Sequence, residues 1–113
     1  MLVLNRFLVP DDTQDGFLAR AHAALAALAQ CHGYRSGRLT RALEDTTHWT
    51  LVTEWESVGA YRRALGAFDV KVHATPLLAT ALDEPSAFET LASAEPGAEV
   101  EVTASDRAAE PWR

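Results

Sequence analysis

Only one cysteine, Cys31, occurs in the 113 residues of the chain. A lone thiol excludes an internal disulfide and any thiolate metal cluster built by a single chain. Positive charge is also scarce: 10 Lys and Arg stand against 16 Asp and Glu, a formal net charge of −6. That balance weighs against nucleic acid and anionic membrane as partners, since both reward a basic face. Arg35, Arg38 and Arg41 lie close together in sequence, but they fall on both faces of one predicted strand and make no patch. No run approaches the roughly eighteen apolar residues that a membrane span requires. The opening MLVLNRFLV is too short, and lacks the basic start, for a signal peptide, so a cytoplasmic location is expected. A glycine-rich nucleotide loop is missing too: Gly33 precedes a predicted strand and Gly37 lies within it, so neither opens a helix. His22, His32, His48 and His73 are widely spaced, with no HExxH or paired-cysteine motif to hold a metal.

What is present is a strongly patterned single domain with a small core. In HWTLVTEWES, residues 48–57, Trp49, Leu51, Thr53 and Trp55 alternate with Thr50, Val52, Glu54 and Glu56. Period two makes this a central antiparallel strand, and each of its faces carries something to cover. Helices are expected over one side and a second subunit over the other, with the Trp49, Leu51 and Trp55 face at the contact between copies.

Around that strand the pattern predicts a first strand over 2–9, ended by Pro10 and the DDTQDG segment. Asn5 shares a face of it with Val3, Phe7 and Val9. A buried amide costs free energy unless paired, so Asn5 either ties down a neighbouring loop or meets a ligand. Phe17, Leu18, Ala21, Leu25 and Leu28 recur at helical spacing over about 14–30, with Gly33 as a left-handed stop. Cys31 and His32 fit its last turn as a small buried hydrophobe and a helix-end residue. A second strand spans 34–43, and Gly37 within it marks a bulge or a close approach. Ser57 is a candidate N-cap for a helix carrying Val58, Tyr61, Leu65 and Phe68 on one stripe, interrupted near Gly66. Residues 67–80 read as a further helix from about Ala67, disturbed at Pro76. A last strand is expected over 87–91. The tail from 94 to 113 offers Val100 and Val102 as a short edge strand or a clasp on a partner. The fold class is therefore α+β: a ferredoxin-like βαββαβ antiparallel sheet with helices on one face, in a domain over 1–93.

The opening LVLNRFLV, the hairpin ending in WTLVTEWES, AYRRAL, VKVHATP and the closing AFETL together resemble the antibiotic biosynthesis monooxygenase-like proteins over about residues 2–92. The resemblance implies a dimeric α+β barrel, two sheets packed face to face, with a pocket between helices and sheet in each subunit. It also implies one of several activities: cofactor-free oxidation of aromatic polyketide phenols or anthrones to quinones, haem binding and degradation, or small-molecule isomerisation or decarboxylation. Fold alone leaves the reaction open.

For the quinone-forming activity, the counterparts by residue type are His73 as general base, Asn5 and Tyr61 as hydrogen-bond donors to an oxyanion, and Trp55 and Phe68 against the aromatic plane. Each has a plainer reading as well. His73 suits a solvent-bonded helix histidine, while Tyr61 and the two indoles of Trp49 and Trp55 suit core or interface packing. For the haem branch, Asn5 and His73 stand where its strand asparagine and axial histidine are expected, but Ala64 takes the place of its helix tryptophan. The expectation is thus a homodimer that needs no cofactor and oxidises a small aromatic molecule. The alternatives are haem with His73 as axial ligand, and a non-catalytic binder of a small molecule.

Overall fold

The alternating segments do form strands, and their register decides which face becomes the core. In the structure, a computed structural model describing residues 1–104, strands β1 (Leu2–Leu8), β2 (Tyr34–Arg41), β3 (His48–Trp55) and β4 (Ala87–Phe88) make one sheet in the order β2-β3-β1-β4. All neighbours are antiparallel. Helix α1 (Gln14–Ala29) connects β1 to β2, and α2 (Val58–Leu65), α3 (Phe68–His73) and α4 (Thr75–Leu78) connect β3 to β4. This is the expected β-α-β-β-α-β arrangement. Residues 105–113, including Trp112, lie outside the described residues.

Across the central pair, Val3 stands opposite Thr53, Asn5 opposite Leu51 and Phe7 opposite Trp49. These residues and Trp55 share the face that the helices cover. Val3, Leu51, Thr53 and Trp55 are all at most 2% exposed. Here the expected placement is corrected: the Trp49, Leu51 and Trp55 face does not wait for a second copy but is the core of the chain itself. A large-residue face is the one that gains most from burial, about 1.5–3 kcal/mol for each fully buried apolar side chain, so the helices pack there. The other face carries Leu2, Leu4, Arg6 and Leu8 beside Thr50, Val52 and Glu54.

Helix α1 buries Phe17, Ala21, Ala24, Ala27 and Leu28. Alanines at that contact keep the helix close to the sheet, and Phe17 fills one end by meeting Phe7 (5.1 Å between centroids) and Trp49 (5.4 Å) edge-on. The chain then turns at Gly33, whose φ of 88° is the left-handed conformation that suits glycine. Gly33 also has no room for a side chain, because a Cβ there would stand 2.5 Å from the Cβ of Ala60. That close approach, with Glu56 N–H donating to the Gly33 carbonyl at 2.8 Å, seats the first turn of α2 against the start of β2. Ser57 caps α2, its Oγ accepting from Ala60 N–H at 3.0 Å.

The 67–80 segment is helical but broken at Ala74 into α3 and α4. Pro76 has no N–H to donate to the Val72 carbonyl, so the ladder is interrupted before it and resumes with Pro76 near the start of α4. The last sheet strand is also shorter than expected. After Phe88 the chain leaves the sheet, and β5 (Ala92–Ser93) pairs instead with β6 (Glu101–Val102) in a separate two-stranded ribbon. Val102 therefore joins this ribbon rather than the edge of the main sheet, and the expected domain boundary at 93 falls at the end of β5.

Candidate functional site

Asn5 is the polar interruption on the covered face of β1, flanked by buried Val3 and Phe7. Its amide makes no hydrogen bond among the described residues, and no buried side-chain nitrogen or oxygen there lacks a partner. The amide therefore faces accessible space. That space is a pocket of about 370 Å³ lined by Asn5, Tyr61, Leu65, Thr75, Leu78 and Ala79. It lies between sheet and helices, with β1 as one wall, α2 as a second, and α4 with the residue after it as a third. The segment following α4 is tied back along β1 by Leu82 N–H to the Arg6 carbonyl (2.7 Å) and Leu4 N–H to the Ser86 carbonyl (2.7 Å), which keeps α4 over Asn5.

None of the six lining side chains is charged. Their polar groups are one amide, one phenol and one hydroxyl, set among leucine and alanine carbon. Such a lining suits a largely apolar molecule with one or two oxygen functions. Burial pushes the Tyr61 phenol above its ordinary value of 10.0, so at neutral pH Tyr61 carries its proton and serves as a donor, not a base.

Trp55 lies underneath. Its ring is 0% exposed and sits 5.4 Å from that of Tyr61, at 56°, and 5.4 Å from that of Tyr34, at 85°. Its Nε1–H donates to Thr53 Oγ1 at 2.8 Å. Trp55 thus supports Tyr61 from below rather than bounding the pocket.

The structure brings Asn5 and Tyr61 together and leaves His73 and Phe68 elsewhere. His73, in the last turn of α3, borders a separate groove of about 380 Å³ with Asp69, Gln30, Ala23, Ala26 and Ala27. Phe68 opens α3 with 78% of its surface exposed. A haem ligated by His73 with Asn5 against it would need both residues in one cavity, and they border different ones. Ala64 is buried in the core, and with Asn5 and His73 apart these residues do not fit the group. Among the described residues no set of three His, Cys, Asp or Glu is placed to hold a metal ion, and no helix is long and apolar enough to cross a membrane. Thr75, Leu78 and Ala79 were not legible as pocket-lining residues. Their phase depends on the break at Ala74, and Leu65 and Leu78 look like ordinary core positions at helical spacing.

An α+β chain with a small uncharged pocket between sheet and helices defines a broad structural class. Within it, the chain belongs to the antibiotic biosynthesis monooxygenase family, whose model matches residues 1–74, from β1 to the end of α3. Among solved structures, it is similar to a mutant of SnoaB, a cofactor-independent oxygenase from Streptomyces nogalater. Identity is 20%, with 95% of this chain and 93% of that one covered and a TM-score of 0.62. A protein from Mycobacterium tuberculosis gives 19% identity over 96% and 97% of the two chains, with a TM-score of 0.61. A conserved protein from Methanosarcina mazei gives 19% identity over 76% and 84%, with a TM-score of 0.63. A comparison with curated proteins gave no match. At such identities the likeness to these structures is one of fold.

Proposed function

We propose that the chain is a cofactor-independent monooxygenase that oxidises a planar phenolic or anthrone-like molecule with dioxygen in the pocket of Asn5 and Tyr61. The observation that carries the reading is the Asn5 amide, on an otherwise apolar strand face, without a hydrogen-bond partner among the described residues and lining an uncharged pocket. Family membership and the similarity to a cofactor-independent oxygenase support it.

The chemistry asks little of the protein. Loss of a proton from an anthrone, or from a phenol unsubstituted para to its hydroxyl, gives an anion electron-rich enough to pass one electron to dioxygen. The resulting radical and superoxide combine to a peroxide, which expels water to leave the quinone; one oxygen atom enters the product and the other leaves as water. Asn5 Nδ2–H and Tyr61 Oη–H would donate to the substrate oxygen on which the negative charge gathers. The Leu65 and Leu78 side chains would exclude water around the radical pair. His73 borders another groove, so in this reading the substrate proton passes to solvent and not to His73.

The second part of the proposal is assembly. The uncovered sheet face presents Leu2 at 40%, Leu8 at 54% and Phe88 at 41% exposure, beside half-buried Leu4 and Val52. A second copy applying the same face would cover it and produce the dimeric barrel that the family resemblance implies.

Conversion of dithranol or a related anthrone to its quinone tests the function. Wild type should accelerate quinone formation in air and not under argon, and Asn5→Ala should slow it by about tenfold or more, the loss of one oxyanion donor. Binding of the anthrone without its depletion would make the chain a carrier and refute the oxygenase reading.

A further inference from the structure

We infer that Thr53 is a positioning residue for Tyr61, acting through the indole of Trp55; this rests on reading the Asn5 and Tyr61 pocket as the binding site. Thr53 and Trp55 are two residues apart on β3, so both point to the helix-covered face. Both are buried, at 2% and 0% exposure. For packing alone, valine would fill the Thr53 position, and exchanging a buried polar pair for apolar groups of the same shape is close to neutral in stability. What the hydroxyl adds is direction. Its Oγ1 accepts from Trp55 Nε1 at 2.8 Å and so fixes which edge of the indole turns toward the strand and which toward α2.

The ring so fixed has little lateral freedom. On one side it meets Tyr34 edge-on, and Tyr34 is itself held over Gly37, where its Oη stands 2.5 Å from the place a Cβ would take. The Thr53 Cγ2 closes the same gap at 3.1 Å from that place. The indole also meets Tyr61 at 5.4 Å, and that ring lines the pocket. Gly37, Tyr34 and Thr53 therefore form a rigid back wall, and the indole transmits its position to Tyr61. Thr53 reaches the pocket only by this route, since it is not among the lining residues.

The test is a double-mutant cycle in the full chain, with binding of 1,8-dihydroxyanthraquinone followed by fluorescence and Tyr61 ring signals followed by NMR. Thr53→Val should weaken binding about fivefold, the worth of one neutral hydrogen bond, and Thr53→Ser should restore it. In the Tyr61→Phe background Thr53→Val should change affinity less than about twofold, because the hydroxyl it positions is already gone. Equal losses in both backgrounds would show a general packing role and overturn the proposal. If wild type fails to bind the probe, the pocket reading fails, and the ring signals still decide the positioning role. Displaced or broadened Tyr61 resonances and lost Trp55 to Tyr61 ring NOEs in Thr53→Val, restored in Thr53→Ser, support it; unchanged signals overturn it.

Discussion

Replacing Trp55 by alanine tests whether the indole is fully buried in the core of the chain. Nothing of the ring is exposed in the single chain. Its surroundings are the edge of Tyr34, the tilted ring of Tyr61 and the hydroxyl of Thr53, which would be left buried without its donor. Tryptophan-to-alanine changes in cores cost about 3–5 kcal/mol, and the upper part of that range is expected here. The strand below cannot move up, and Tyr34 is pinned over Gly37, so the site cannot collapse into the space left. Because a small domain has only about 5–15 kcal/mol to lose, Trp55→Phe belongs in the same experiment; it keeps most of the packing and orphans Thr53 Oγ1 at a cost of about 1–3 kcal/mol. Urea unfolding followed by far-ultraviolet circular dichroism, at one fixed protein concentration, gives both values. A loss under about 1 kcal/mol for Trp55→Ala is what a half-exposed side chain would show, and it would refute the assignment of this face to the core.

Gly37→Ala places a Cβ against Tyr34 and Leu25 and should lower stability by about 1–3 kcal/mol in thermal melts. Tyr61→Phe should flatten the alkaline limb of the stability profile. Below pH 10.0 the phenol is neutral in both states and its contribution is constant; above it the unfolded chain loses the proton first, so stability falls as pH rises toward the higher folded value. Tyr34, also raised by burial, keeps its own share of that limb. Val52→Lys, at the centre of the uncovered sheet face, should convert a dimer to a monomer in sedimentation equilibrium, whereas wild type running only as a 12.3 kDa species would dismiss the dimer.

Local chemistry made most of the elements readable. The period of β3, the cap at Ser57 and the left-handed Gly33 are decided within a few residues, and they stand where the sequence puts them. Which face of β3 becomes the core is not a local matter. Both faces of the β1 and β3 pair carry apolar residues, Val3 and Phe7 on one and Leu4 and Leu8 on the other, and only the path of the connecting helices chooses between them. The site divides in the same way. The position of Asn5 beside a pocket was readable because an amide on an apolar strand face needs a partner. The position of His73 was not, because the break at Ala74 resets the helical phase, so that α3 turns His73 toward α1 while α4 turns Thr75 and Leu78 toward Asn5.

Oxygen uptake by metal-free protein supplied with an anthrone tests the central claim most directly, with wild type, Asn5→Ala and His73→Ala compared at equal concentration. The Asn5 and Tyr61 pocket predicts one dioxygen consumed per quinone formed without added flavin or metal, a loss of about tenfold or more in Asn5→Ala, and a rate within about twofold of wild type in His73→Ala. Uptake that survives loss of Asn5 but disappears with His73 would contradict the account and move the chemistry to the groove between α1 and α3.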